Sequence, residues 1–106
     1  MGKNIPYNMT VTKKRYLILE STKFISKNLV LALIKANYGL FGLSFIDFLE
    51  VVEEFSNNQI YIFKVNIEGF AYAKSVLEKE EGVKIILISG ILRKAKKKLY
   101  RILSNK

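Results

Sequence analysis

An α+β sandwich in the order β-α-β-β-α-β, followed by a basic C-terminal helix, is the fold class predicted by this 106-residue sequence. Three observations predict it. Short runs of β-branched and aromatic residues alternate with segments of helical periodicity. A Ser56-Asn57-Asn58 turn signal joins two of those runs into a hairpin. The residues after Gly90 carry cations and no acid on an amphipathic repeat.

Residues 1–12 are a polar lead-in that contains the single proline, Pro6, and are expected to be flexible. Residues 13–106 suit one domain and leave little room for a second. Arg15 to Glu20 is a short apolar run that reads as a strand buried on at least one face. Ser21 and Thr22 are capping types for a helix expected from Phe24 to Tyr38, with Gly39 as its stop. Ile25, Leu29, Leu33 and Ala36 form one stripe of that helix, and Val30, Leu31 and Ile34 widen it. A helix apolar around so much of its circumference is either deeply buried or shared with a second chain. Leu29, Val30, Leu31, Leu33 and Ile34 are therefore the candidate protein-interface residues.

Gly39 to Ser44 reads as a glycine-punctuated turn. Phe45 to Phe55 fits either helix or strand, and the hairpin context favours strand. As a strand it directs Glu50 and Glu54 one way, and Asp47 and Glu53 the other. Ile60 to Val65 is a clear β segment. Gly69 to Glu81 reads as a second helix with Phe70, Ala73, Val76 and Leu77 inward, ended by Gly82. Val83 to Ile88 is the last strand, and Ile91 to Leu103 the last helix. This is the ferredoxin-like, or split βαβ, order, in which one layer of four antiparallel strands packs on two helices. RNA-recognition-like domains use it, as do unrelated enzymes and regulators, so the fold alone does not give function.

Charge says more about partners than about fold. The chain carries +9, with cations concentrated at residues 1–27 and 91–106 and a mildly acidic middle. Such ends suit a polyanion. There is no cysteine and no histidine, which excludes thiolate metal sites, disulfides, a cysteine nucleophile and the commonest general base. The start lacks the apolar stretch of a signal peptide, and the run Leu29 to Ile34 is too short to cross a bilayer. A soluble cytoplasmic protein is the expectation.

The last helix carries the strongest physical signal. Leu92, Ala95, Leu99, Ile102 and Leu103 form a docking stripe, while Arg93, Lys97 and Arg101 align outside with Lys94 and Lys98 beside them. Like charges this close repel, and an RNA backbone would relieve them. A solvated basic face is the bland alternative. Lys13, Lys14 and Arg15 lead the first strand, where they can hold phosphates. Tyr16, Tyr61 and Phe63 occupy places where bases could stack, although the core is the better expectation for each. Asp47, Glu50, Glu53 and Glu54 show no metal-ligand spacing and read as a solvated edge. Gly39 and Gly42 lack the Lys-Ser/Thr of a phosphate loop.

Lys14-Arg15-Tyr16-Leu17 with Glu20, Gly39-Leu40-Phe41-Gly42, Ile60-Tyr61-Ile62-Phe63-Lys64 with Glu68, and Ser89-Gly90-Ile91-Leu92-Arg93 occur in an order that resembles one family. That family is component 2 of archaeal ribonuclease P, the Pop-five-type subunit. The resemblance spans residues 13 to about 103. Lys64 and Asn66 stand where the family commonly has two arginines, and Ile91 replaces its usual threonine.

The resemblance implies a non-catalytic subunit that binds ribonuclease P RNA and supports removal of the 5′ leader of precursor tRNA. The catalyst would be that RNA with its magnesium ions, and no cofactor would be bound by the protein. Component 3 and self-association are the implied protein partners. Lys13, Lys14, Arg15, Lys64, Arg93, Lys94, Lys97, Lys98 and Arg101 are the RNA-binding candidates. The competing readings are a ferredoxin-like protein-interaction or small-ligand module and a carboxylate-based enzyme.

Overall fold

The computed structural model describes residues 13–55 and 59–104. The expected flexible lead-in at 1–12 and the turn at Ser56-Asn57-Asn58 lie outside the described residues. The elements run β1 (Lys14–Ser21), α1 (Lys27–Leu43), β2 (Leu49–Phe55), β3 (Ile60–Asn66), α2 (Ile67–Lys79), β4 (Val83–Ser89) and α3 (Leu92–Ser104). The architecture is α+β, with one four-stranded antiparallel sheet in the order β2-β3-β1-β4 and three helices. It is compatible with a ferredoxin-like arrangement.

The central strands β1 and β3 are apolar on both faces. Leu17 and Leu19 of β1 join Tyr61, Phe63 and Val65 of β3 on one face, under Val30 and Ile34 of α1 and Ala73, Val76 and Leu77 of α2. Tyr16, Ile18, Ile60 and Ile62 lie on the other face, under Ala95 and Leu99 of α3. The C-terminal helix thus adds a third layer to the two the strand and helix order requires.

The first helix starts later than expected, and beyond its expected stop at Gly39 a further helical segment runs on. Ser21 remains in β1, paired with Val83, and its hydroxyl accepts from the Lys23 N–H at 3.1 Å. Ser26 is the cap instead, its hydroxyl accepting from the Leu29 N–H at 3.1 Å. Gly39 breaks the helical conformation where a stop is expected, and a further short helical segment follows it. It adopts φ 66°, a left-handed conformation that glycine takes without a Cβ penalty, and kinks the axis. Residues 40–43, expected as a turn, continue the helix to Ser44, whose N–H donates to Leu40 O at 2.9 Å.

The strand reading of the ambiguous stretch holds from Leu49, while Phe45 to Phe48 precede it as a loop. Buried Asn66 shapes that loop. Its Oδ1 accepts from the Asp47 and Phe48 N–H groups at 2.8 and 3.3 Å, and its Nδ2 donates to Phe45 O at 2.8 Å and Glu68 Oε1 at 3.3 Å. The register of β2 shifts between Val51 and Glu53. Val52 and Glu53, neighbours in sequence, consequently both turn toward α3. The strict alternation expected of Glu50, Glu53 and Glu54 fails for that reason, and Asp47 lies before the strand.

The second helix begins two residues before Gly69 and ends at Lys79, with Gly82 at φ 84° in the turn to β4. Phe70, Ala73, Val76 and Leu77 face the core as expected.

Asn66→Ala should lower stability by about 2–4 kcal/mol in urea unfolding, because it strands two backbone donors and a carbonyl that the side chain now satisfies.

Candidate nucleic-acid interface

The site begins with the docking of α3. Ala95 and Leu99 are fully buried, and Leu92 and Leu103 pack beside them against β1 and β4. Ile102, the remaining member of the expected stripe, stays 36% exposed. With this stripe turned to the sheet, Arg93, Lys94, Lys97, Lys98 and Arg101 are exposed on the opposite side. Residues four apart rise by about 6 Å along a helix, so Arg93, Lys97 and Arg101 form a regular row.

Among the described residues, Glu53, Glu78 and Glu80 pair with Lys96, Lys74 and Lys23. None of Arg93, Lys94, Lys97, Lys98 and Arg101 pairs with a described carboxylate. Lys96, outside the candidate set, is the exception on α3. Its hydrogen bond to Glu53 holds the ammonium above its ordinary pKa, against some desolvation. The stabilisation linked to this shift is fully present below the ordinary lysine pKa and fades as pH climbs through the raised value.

Of the strand-leading cations, Arg15 approaches the turn that leads into α3. Tyr16 of β1 pairs with Ser89 at the end of β4, one residue before Gly90 and three before α3. The Arg15 guanidinium lies over Gly90, where a Cβ would stand 3.3 Å from Nη1. Arg15 also donates to Lys14 O at 3.0 Å. Lys13 is fixed by its carbonyl, which accepts from the Ile67 N–H at 2.9 Å. Lys13 and Lys14 are exposed, and Arg15 is half-buried. Arg15 thus reaches the Gly90 turn before α3, although by register it belongs to the sheet face of Leu17 and Val65, opposite that helix.

Lys64 lies on the same cross-strand row, opposite Tyr16 on one side and Glu50 on the other. Its ammonium sits 5.4 Å from the Phe48 ring centre. With an aromatic face and a carboxylate strand beside it, Lys64 is the least available of the nine candidates. The acids Glu50 and Glu54 lie on β2, at the opposite edge of the sheet from β4 and Arg15.

The sheet itself offers no aromatic platform. Tyr16 is buried beneath α3, and Tyr61 and Phe63 are fully buried on the α1 and α2 face, as their core reading expects. The expected protein-interface stripe is also partly consumed. Val30 and Ile34 have no exposed surface because they fill the chain's own core, so neither is free for a partner. Leu29, Leu31 and Leu33 are half-buried against that core. The most exposed large apolar residues of α1 are Leu40 and Phe41, which sequence reasoning missed because the turn assignment hid their place on a kinked helix.

Among the described residues, no group of three or more acids is arranged to hold a metal ion, and no helix is long and apolar enough to cross a membrane. No protein-family model and no curated protein sequence matches the chain.

Leu99→Ala should cost about 2–5 kcal/mol in chemical unfolding, since it opens a cavity between α3 and the central strands.

Proposed function

We propose that this chain is a non-catalytic RNA-binding subunit of ribonuclease P, with a ferredoxin-like domain capped by a basic helix. The observation that carries the proposal is the row of cations on the outer face of α3. Arg93, Lys94, Lys97, Lys98 and Arg101 are exposed there, and Arg15 reaches Gly90, two residues before the helix begins. Unpaired cations in rows displace counterions from a polyphosphate and lower their own repulsion on binding. The strand order β2-β3-β1-β4 with two helices on one face supports the split βαβ topology.

Within this function the partner is ribonuclease P RNA, with precursor tRNA in the same complex. Cleavage of the 5′ leader belongs to the RNA and its magnesium ions. Component 3 and a second copy of the chain are the proposed protein contacts, and the cytoplasm is the proposed compartment. The motifs from Lys14 to Arg93 support that choice among RNA partners.

Binding to the RNA should weaken steeply with salt. Replacing Arg93, Lys97 and Arg101 with Gln should reduce the slope of log K against log salt by about three. A titration on the wild type and the triple variant reads both effects, and no RNA binding at low salt, alone or with component 3, rejects the function. Sequencing the RNA that copurifies with the untagged protein from its own cells should return ribonuclease P RNA. A preparation that carries protein partners but no RNA would favour a protein-interaction module instead.

A further inference from the structure

We propose that Tyr100 is a stacking platform for an unpaired base, so that the cationic face of α3 takes a single-stranded stretch of RNA in preference to continuous duplex. The proposal rests on the RNA-binding function above and specifies which RNA feature that surface takes.

Tyr100 belongs to α3 but not to its docking stripe. Ala95 and Leu99 are fully buried against the sheet, whereas Tyr100 is 54% exposed. Its ring rests near Phe55 of β2, with centres 6.5 Å apart and planes tilted by 49°. Phe55 is half-buried and restrains the ring from one side, while much of the phenol remains in solvent. A restrained, half-exposed ring loses little freedom when a base covers it.

The charge around the ring suits a nucleotide. Arg93, Lys96, Lys97 and Tyr100 recur at helical spacing and share one face of α3. Lys96 is occupied by Glu53, which both neutralises the nearest acid and leaves Arg93 and Lys97 as the unpaired cations of that face. Arg101 follows Tyr100 directly. Lys97 and Tyr100 are separated by about 4.5 Å of helix rise, so a base on the ring leaves its phosphates within reach of Lys97 and Arg101.

Among the described residues, no other aromatic side chain competes for this role. Tyr16, Tyr61 and Phe63 are buried. The remaining strongly exposed aromatics, Phe24 and Phe41, lie outside α3. A base inside an A-form duplex offers no free π-face along the helix, whereas an unpaired base does.

The test uses the full chain and fluorescence anisotropy at low salt. One probe is oligoadenylate, and the other is an RNA duplex with the same number of phosphates. Tyr100→Leu should weaken oligoadenylate binding by about fivefold to a hundredfold and change duplex binding by less than about twofold. Tyr100→Phe, which keeps the ring, should bind oligoadenylate like the wild type. The inference is overturned if Tyr100→Leu leaves oligoadenylate affinity unchanged, lowers both affinities equally, or is matched by Tyr100→Phe. A wild type that binds neither probe overturns the RNA-binding function itself, an outcome distinct from losing only the selectivity.

Discussion

The structure depends on a sheet whose two central strands cannot expose either face. Tyr16, Leu17, Ile18 and Leu19 are consecutive and all buried, as are Ile60, Tyr61, Ile62 and Phe63. In an antiparallel pair, consecutive side chains point to opposite faces, so four buried in a row need cover above and below. Each large apolar side chain left in water forgoes roughly 1.5–3 kcal/mol. Helices α1 and α2 satisfy one face, and α3 is required by the other.

This requirement sets the orientation of the cationic surface. An isolated helix of this length with adjacent lysines and arginines is marginal, because nucleation is costly and each close like-charge pair opposes it. Burial of Ala95 and Leu99 with partial burial of Leu92 and Leu103 holds α3 in place against that cost. Once the apolar stripe is committed, the cations have only the solvent side. The same docking covers that face of the sheet, so the aromatic and aliphatic side chains beneath α3 are closed to solvent. Packing and electrostatics are therefore one device: the helix that completes the core is also the helix that presents charge.

Asn66 shows how a single polar residue can change role with its surroundings. At the end of β3 it is fully buried, and its amide links the loop before β2 to the start of α2. Four hydrogen bonds offset the desolvation of the amide. An arginine at this position would place a charged group where the chain has a neutral, satisfied one. Lys64, two residues earlier on the same side of the strand, is held near Phe48 rather than standing free. The end of β3 thus organises the loop, and the cationic surface lies toward β1, β4 and α3.

Hydrophobic periodicity, glycine placement and charge distribution determined much of this protein without coordinates. The strand and helix order, the inward residues of α2, the docking stripe of α3 apart from Ile102 and its five outward cations were legible, because each follows from local spacing of residue types. The start of α1 near Ser21 was not, because a capping serine and a strand-end serine look the same in sequence, and neither was the helical segment that follows the break at Gly39. The bulge in β2 was hidden too, since it arises from cross-strand register rather than from composition. Tertiary structure alone decided that Val30 and Ile34 belong to the core and that Leu40 and Phe41 do not. It also decided that Lys96 is paired while its neighbours meet no described carboxylate, and that Arg15 reaches Gly90. These are relations between distant segments, and only the closing of the sheet brings such segments together.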